Sequence, residues 1–330
     1  MKNIAIIAGG YSSEYVVSMK SAQGIYSFID KSKYNLFVVE LTKDCWKVQL
    51  SDTSYADIDK NDFSFSKDGE KTRFHFAYIT IHGTPGEDGR LQGYFDMLGI
   101  PYSNCGVLAS ALTFNKFTCN NYLKSFGITT SPSIRLFKGE SISDLDVIAR
   151  LGLPVFIKPN DGGSSFGTTK VKTAEEIQPA ISAAFAEGDE VIIEAFIPGT
   201  ELTCGCYKTT KKEVVFPITE VVSKNEFFDF EAKYTSDKVE EITPARIPDS
   251  LREEIQRLTS CIYDYIGAKG IIRVDYILSP EGAINMLEVN TTPGMTITSF
   301  IPQQVRAAGL EIRDVMTDII ENELNKQLFK

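Results

Sequence analysis

The sequence is poor in the side chains that most often bind transition metals. Its 330 residues include two histidines, His75 and His82, and six cysteines, of which only Cys204 and Cys206 lie close together. A zinc site draws its ligands mainly from these two residue types, so a zinc centre is not expected. The scattered cysteines are expected to be reduced, structural thiols.

Basic residues are outnumbered by acidic ones, and long apolar runs are missing. With 34 Lys and Arg against 44 Asp and Glu, the formal net charge is −10. Nucleic acids and anionic membranes select a basic surface, so neither is expected as a partner. No apolar run reaches the roughly 18 residues of a membrane span, and the strand-like segment Ile4–Ala8 follows Met1 too closely for a signal peptide. A cytoplasmic location is the default expectation.

Two common nucleotide-binding fingerprints are also absent. The first turn, from Ala8 to Glu14, resembles a phosphate loop, but neither G-x-G-x-x-G nor G-x-x-x-x-G-K-[ST] is present. Because a dehydrogenase would need a dinucleotide fingerprint, this class of enzyme is not expected.

The pattern of elements predicts three units. In the first hundred residues, strand patterns (4–8, 34–41 and 76–81) alternate with helix patterns (about 13–28 and 90–98), which is typical of a mainly parallel α/β sheet. A smaller α+β unit follows, with helices at about 115–126 and 174–186 and strands at 154–158 and 190–196. The remainder has several strands, terminal helices and a polar stretch, 224–245, that is predicted to be a mobile loop. The predicted domains are 1–104, 105–197 and 198–330.

Two strand-like segments flank the turn Ser279–Gly282 and contain polar residues among apolar ones. Because side chains in a strand alternate between faces, Arg273 and Asp275 share one face, and Glu288 and Asn290 share one face of the next strand. The turn chemistry predicts a hairpin in which Arg273 lies opposite Glu288. Asp275 would then lie opposite Met286, so the four polar groups point the same way.

These polar residues indicate a cation site. Two carboxylates about 5 Å apart repel by roughly 3 kcal/mol at an effective dielectric near 20, and an arginine offsets only part of this. A divalent cation removes the repulsion, and an Asp, Glu and Asn ligand set suits magnesium. Asp275, Glu288 and Asn290 are therefore candidate Mg²⁺ ligands. The alternative interpretation is a solvated face of an edge hairpin.

A second pattern points to phosphate. Lys158 ends an apolar strand and is followed by a glycine- and serine-rich loop, 160–167. Small residues let backbone N–H groups approach an anion, and a lysine supplies a compact charge. The alternative is an ordinary hairpin loop beside a solvated lysine.

The next strand, 191–197, ends where backbone groups could bind a purine edge, and Glu201 could bind a ribose diol. Lys116, Lys158, Lys233 and Arg273 would form a cationic set around a polyphosphate if the fold brings them together. Taken singly, this segment is better explained as a core strand with a surface glutamate.

These residues together resemble the ATP-grasp superfamily and, within it, the D-alanine–D-alanine ligase family. The resemblance covers nearly the whole chain and consists of eight pieces in the family's order. They are Ala8–Gly10 with Ser13, Glu14, Val17 and Ser18; Ile81–Gly83 with Gly86–Gly89 and Leu91–Gly93; Asn115–Lys116; Ile157–Pro159; Gly163–Ser165 with Gly167; Glu231–Tyr234; Arg273 with Asp275; and Glu288 with Asn290, Thr291 and Pro293–Thr296.

The resemblance implies an ATP-grasp fold, in which an N-terminal parallel α/β domain joins two α+β subdomains that clamp the nucleotide. It also implies an enzyme that forms D-alanyl-D-alanine from two D-alanines through a D-alanyl phosphate, releasing ADP and phosphate, for peptidoglycan precursor synthesis. ATP and two Mg²⁺ ions, with Mn²⁺ as a substitute, would be required. A homodimer is expected because relatives commonly dimerise.

The resemblance also suggests a role for each matching residue. The phosphates would be contacted by Lys116, Lys158 and Lys233, and the nucleotide would also lie near Ser165 and Phe228. The adenine segment would consist of Glu194, Ala195, Phe196 and Ile197. The ribose would be bound by Glu201. Glu288 would bridge two Mg²⁺ ions, which Asp275 and Asn290 also hold. Glu14 would pair with the ammonium of the first substrate, His82 would lie near its carboxylate, and Ser299 would bind the second carboxylate. Arg273 and the Gly294 N–H would stabilise the oxyanion, and Ser164, Tyr234 and Glu14 would hold the loop that carries Lys233.

Several positions depart from the family pattern. Phe228 stands near the nucleotide where relatives often have tyrosine, and Ala195–Phe196 varies the adenine segment. Phe300 follows Ser299 where smaller aliphatic residues are common, which is expected to reshape the second-substrate pocket. The segment Glu231–Tyr234 resembles the dipeptide-forming type, which favours D-alanine as acceptor. The alternatives are a ligase with D-serine or D-lactate as acceptor and a non-catalytic nucleotide-binding relative.

Overall fold

Seventeen strands and nine α-helices occur in the part of the chain that the computed structural model describes, residues 1–12, 14–162, 167–223 and 239–327. The strands are β1 (Lys2–Gly9), β2 (Tyr34–Leu41), β3 (Trp46–Ser51), β4 (Ser54–Asp59), β5 (Ser64–Lys67), β6 (Glu70–Arg73), β7 (Phe76–Ile79), β8 (Ser133–Phe137), β9 (Val155–Pro159), β10 (Thr169–Val171), β11 (Glu190–Ala195), β12 (Thr200–Lys208), β13 (Glu213–Val215), β14 (Thr219–Ser223), β15 (Val239–Ile242), β16 (Ile271–Leu278) and β17 (Ile284–Asn290). The helices are α1 (Tyr15–Phe28), α2 (Arg90–Leu98), α3 (Val107–Phe114), α4 (Lys116–Lys124), α5 (Asp144–Leu151), α6 (Ile177–Glu187, preceded by a 3₁₀ turn at Ala174–Glu176), α7 (Asp249–Tyr265), α8 (Phe300–Ala307) and α9 (Ile312–Gln327).

The first sheet has the order β6-β5-β4-β3-β2-β1-β7. β1 pairs in parallel with β2 and β7, and its residues Ile4–Ala8 are fully buried, as expected of a strand covered on both faces. This confirms the predicted parallel α/β arrangement for three strands. The other four, β3 to β6, pair antiparallel, so the sheet as a whole is mixed. The sequence pattern missed them because they have only four to six residues each and few of their side chains are buried.

The second sheet is antiparallel, with the order β10-β9-β11-β8. Its apolar face packs against α5 and α6 around Val147, Val155, Ile157 and Ile193. This is the predicted small α+β unit, and the predicted strands 154–158 and 190–196 agree with β9 and β11 to within one residue.

The third sheet has the order β15-β14-β12-β16-β17, with β13 also paired to β12. One face packs against α3, α4 and α7. Its other face shares a core with the first sheet, in which Tyr207, Phe216 and Ile271 join Ile4 and Phe76 and are covered by residues of α8 and α9. β12 and β16 are therefore buried on both faces, which gives the cleft described below a rigid floor.

The structure bears on four further expectations. All six cysteines are free, as predicted. Of the predicted loop 224–245, residues 224–238 lie outside the described residues, and 239–242 form β15 on the edge of the third sheet, where no strand was predicted. Among the helices described, none is long and apolar enough to cross a membrane. The domain limits at residues 104 and 197 remain predictions, and α3 and α4, placed in the central unit, pack against the third sheet.

Candidate active site

One cleft gathers the predicted site residues from all three sheets. The residues that line it include Glu14, His82, Lys116, Lys158, Glu194, Ala195, Phe196, Ile197, Glu201, Arg273, Asp275, Glu288, Asn290, Gly294 and Ser299. Five others, Ser164, Ser165, Phe228, Lys233 and Tyr234, lie outside the described residues. The cleft also contains residues for which the sequence suggested no role, and Glu87 is the most informative of these.

The β16–β17 hairpin forms in a different register from the predicted one. Asp275 lies opposite Glu288, and Arg273 lies opposite Asn290. Pairing starts at Leu278 and Ile284, one residue later than predicted, because the Ser279 N–H donates to the Ala283 carbonyl and closes a longer turn. A bulge next to Asp275 then shifts the register again. Like charges directly opposite each other are destabilising, so the observed register strengthens the argument for a cation.

Arg273 forms a two-pronged ion pair within this hairpin. Its Nε and Nη2 donate to the two oxygens of Asp275 at 2.8 and 2.7 Å, and the two side chains are 16% and 7% exposed. Thr203, the neighbour of Asp275 on β12, donates to the same carboxylate at 2.5 Å. Although burial lowers the pKa of Arg273, the Asp275 carboxylate outweighs burial and raises it, so the guanidinium stays charged.

Asn290 connects the two carboxylates. Its Nδ2 donates to Asp275 at 3.1 Å and to Glu288 at 3.3 Å, so three oxygen-bearing side chains lie together on one face of the sheet. No group of three or more His, Cys, Asp and Glu side chains suited to a metal occurs in the described residues. The candidate donor set is therefore two carboxylates and one amide, which are hard oxygen ligands and fit Mg²⁺.

Two largely buried lysines also line the cleft. The Nζ of Lys158 lies 2.6 Å from Glu194, which also accepts a hydrogen bond from Asn120 at 3.1 Å. Burial opposes the charged form of Lys158, but Glu194 outweighs this effect and raises its pKa. Lys116 donates to the Gly162 carbonyl at 2.5 Å, and its burial lowers its pKa.

Lys116 is placed by the start of α4. The Asn115 side chain accepts from the Thr118 N–H and caps the helix. The Asn160 backbone and side-chain oxygens accept from the N–H groups of Lys116 and Phe117 at 3.2 and 2.8 Å. These bonds attach the helix N-terminus to the strand end that carries Lys158, which brings the two lysines to one wall.

The predicted adenine segment begins within the last two residues of β11. The Ala195 N–H donates to the Pro132 carbonyl, the Ala195 carbonyl accepts from Ser131, and the Phe196 N–H donates to the Pro154 carbonyl. These backbone groups are thus occupied. The Ile197 N–H and the Phe196 carbonyl have no backbone partner in the described residues, so they are the groups that remain for a ligand edge.

Glu14 and His82 come from loops at the edge of the first sheet. Glu14 precedes α1, and the Ser12 hydroxyl donates to the His82 carbonyl at 3.2 Å. Gly83, with φ of +70°, lets the loops approach, because a Cβ there would lie 3.1 Å from the Ser12 hydroxyl. His82 Nε2 is buried without a hydrogen-bond partner in the described structure. Burial lowers the pKa of His82, which favours a neutral ring.

Glu87 belongs to the motif Gly86–Gly89, but the sequence suggested no role for it. Its Oε2 accepts from the Gly83 N–H at 2.7 Å. Burial, helped by the nearby Glu14 and Glu288 charges, raises the pKa of Glu87 to about 8. The raised pKa favours the protonated carboxyl at neutral pH, which limits the negative charge of the cleft. Glu87 in the segment Gly86–Gly89 was the available signal, but its raised pKa could not be read from the sequence.

The last wall is the loop before α8. The Ser299 hydroxyl accepts from the Thr296 N–H at 3.0 Å and lies 2.8 Å from the Thr296 hydroxyl. A Cβ at Gly294 would lie 3.1 Å from the Ser299 Oγ, so a glycine lets the backbone approach this hydroxyl. Phe300 is the first residue of α8, and its ring faces the Arg273 guanidinium with 5.3 Å between the Cζ and the ring centroid.

Comparison with known proteins identifies close relatives. Two family models match, described as D-ala D-ala ligase N-terminus over residues 3–105 and D-ala D-ala ligase C-terminus over residues 122–321. The D-alanine--D-alanine ligase of Parabacteroides distasonis is 67% identical over 329 residues, which cover 100% of this chain and 99% of the relative. The crystal structure of the VanG D-Ala:D-Ser ligase from Enterococcus faecalis superposes with a TM-score of 0.87 at 31% identity, covering 98% of this chain and 99% of that chain. The D-alanine--D-alanine ligase from Bacillus anthracis complexed with ATP superposes with a TM-score of 0.78 at 29% identity, covering 100% and 99%.

Proposed function

Because the chain belongs to the D-alanine–D-alanine ligase family, we propose that it joins two D-alanine molecules with ATP and Mg²⁺ to give D-alanyl-D-alanine, ADP and phosphate for peptidoglycan synthesis. The observation that carries this proposal is one cleft that gathers an arginine–carboxylate hairpin, two largely buried lysines and a buried histidine. Each group suits one part of a reaction in which an anionic carboxylate receives a phosphoryl group.

The lysine wall would bind ATP. Lys116 and Lys158 supply positive charge for the phosphates, and Glu194 keeps Lys158 charged before the nucleotide arrives. The backbone of Phe196 and Ile197 would meet the adenine, and Glu201, near the start of β12, would bind the ribose. The solved relative from Bacillus anthracis that carries ATP supports this side of the proposal.

The hairpin would hold the metal. Asp275, Glu288 and Asn290 present two carboxylates and an amide on one face, which fits two Mg²⁺ ions or Mn²⁺ as a substitute. When bound, the cations would neutralise charge on the transferring phosphoryl group. Arg273 supplies a further fixed positive charge, because Asp275 orients it from one edge.

The substrates would occupy the space between these walls. Glu14 would pair with the ammonium of the first D-alanine, and the His82 Nε2 would donate to its carboxylate. ATP transfers its γ-phosphoryl group to that carboxylate, which forms an acyl phosphate and ADP. The deprotonated amine of the second D-alanine attacks the acyl carbon, phosphate leaves, and Arg273 with the Gly294 N–H would stabilise the oxyanion between these events.

Ser299 would bind the carboxylate of the second D-alanine. Because Phe300 follows Ser299 in the chain, the pocket that selects the acceptor would lie beside Phe300. The structural similarity to a D-Ala:D-Ser ligase favours D-serine as the second candidate acceptor. The roles of Ser164, Tyr234 and Lys233, which lie outside the described residues, remain predictions from the sequence, as do D-lactate as an acceptor, the homodimer and the cytoplasmic location.

The test is phosphate release by the purified protein with Mg²⁺ and ATP, with products identified by mass. D-Alanine, L-alanine, D-alanine with D-serine, D-alanine with D-lactate, and no amino acid would be compared, with EDTA as a metal-free control. We expect D-alanine-dependent release, with D-alanyl-D-alanine formed and with loss of activity in EDTA. A mixed product formed in preference to the D-alanine dipeptide would change the acceptor, and no release despite ATP binding would refute the proposed catalysis.

A further inference from the structure

The two contacts of the Arg273 guanidinium constrain different motions. Its Nε and Nη2 donate to Asp275 along one edge, which fixes the group within its own plane. Because both bonds lie along one edge of the guanidinium, the group can still rotate about that edge. The bonds resist this tilt out of the plane much less than they resist motion within the plane. The Nη1 group forms no hydrogen bond within the part of the chain that the structure describes, and it is the end that such a tilt would move furthest.

The Phe300 ring lies where it opposes that tilt. The guanidinium Cζ is 5.3 Å from the ring centroid, which is within the range of a cation–π contact. Arg273 is mostly buried, so water competes weakly with the ring for its face. Asp275 and Phe300 therefore restrain the arginine in complementary directions.

Phe300 is itself held in place by the helix that it begins. Gln304, one turn later on α8, is fully buried, accepts from the Gly205 N–H and donates to the Thr203 carbonyl, both at 3.0 Å. Thr203 and Gly205 are the β12 partners of Asp275 and Arg273. The same short stretch of β12 thus fixes the position of α8 and of the strand that carries the arginine.

We propose that Phe300 is a positioning residue that keeps the Arg273 guanidinium in the orientation needed to stabilise the oxyanion. This inference rests on the proposed function, because it assumes that Arg273 meets developing negative charge. Phe300 also borders Ser299, so loss of the ring would loosen the oxyanion site and the acceptor site together, whereas the ATP wall would be unaffected.

The experiment compares Phe300→Leu, which removes the ring but stays apolar, with Phe300→Tyr, which keeps it. For Phe300→Leu we expect kcat for peptide formation to fall by about 3- to 30-fold, the range of a partly desolvated cation–π contact. The apparent KM for ATP should stay within about twofold. Phe300→Tyr should restore kcat to within about threefold of the wild type.

Phe137→Leu is a matched control. Phe137 on β8 makes a cation–π contact of 4.3 Å with Arg135 outside the cleft, so its loss should leave kcat unchanged. Melting temperatures of all variants separate misfolding from mispositioning. An inactive wild type would refute the proposed function itself. An active wild type with an unchanged kcat in folded Phe300→Leu, or with equal losses in the leucine and tyrosine variants, would overturn the role of the ring.

Discussion

The substitution Glu194→Gln should destabilise the nucleotide-free protein, because it leaves the Lys158 ammonium buried without its charged partner. The two groups lie 2.6 Å apart, and the side chains of Lys158 and Glu194 are 12% and 5% exposed. Removing one partner of a buried ion pair costs about 3–5 kcal/mol. Glutamine keeps an oxygen that can accept from Lys158 or Asn120, so we expect a loss near the lower limit, about 3 kcal/mol. This would lower the melting temperature by roughly 6–12 °C at about 2–4 °C per kcal/mol.

The pH dependence of this loss has a definite sign. In the wild type, Glu194 raises the pKa of Lys158, so the ion pair contributes fully at neutral pH and is lost only as the pH rises through that raised pKa. In the variant, burial is opposed only by the smaller effect of the Glu288 charge and should lower the pKa of Lys158. The folded variant then binds fewer protons than its unfolded chain, so its stability should fall as the pH drops from about 10 towards 7.

The assay is urea unfolding of both proteins at pH 7 and at pH 9.5, followed by circular dichroism. The surface pair Lys138–Asp189, at 3.0 Å with side chains 65% and 84% exposed, provides the control. Asp189→Asn should change the stability by no more than about 0.5 kcal/mol. Similar losses for Glu194→Gln and Asp189→Asn, or a loss that is no larger at pH 7 than at pH 9.5, would refute the reasoning.

Three further substitutions test other parts of the cleft. Arg273→Lys keeps a positive charge but loses the two-pronged contact with Asp275, so kcat measured by phosphate release should fall by about 10²–10³ while the melting temperature reports on folding. The pKa of Glu87 is raised from 4.5 to about 8, so this carboxyl makes the wild type lose stability as the pH rises from about 4.5 to 8, by at most about 1.4 kcal/mol per pH unit. Glu87→Gln should flatten that dependence in urea unfolding, and identical slopes in the two proteins would contradict the assigned environment. Gly294→Ala would put a methyl group 3.1 Å from the Ser299 hydroxyl, so the apparent KM for the second D-alanine should rise about tenfold, equivalent to roughly 1.4 kcal/mol, with the KM for ATP as the internal reference.

Several elements of the fold could be predicted from local patterns. The buried strand Ile4–Ala8 and helix α2 were predicted because long apolar runs and helical periodicity are local signals. The meander from β3 to β6 was missed because strands of four to six residues with few buried side chains show little alternation between apolar and polar residues. β15 was missed for a related reason, since it has four residues, two of them glutamates, and forms a strand by pairing with β14.

In the candidate site, the residue types were predictable but their partners were not. Alternation along β16 and β17 put Arg273, Asp275, Glu288 and Asn290 on one face, and the structure has them on one face. The register that decides which carboxylates meet depended on the turn closure at Ser279 and on a bulge. Both are set by hydrogen bonds that strand alternation does not encode.

The sequence by itself determined which chemical groups this protein has and on which faces of its strands they lie, because chain chirality and the period of a strand are local properties. Only the tertiary structure decided that Glu194 neutralises Lys158, that the pKa of Glu87 is raised, and that Phe300 covers Arg273. These are effects of burial and of contacts between residues far apart in the chain, and their free energies depend on the water that packing excludes.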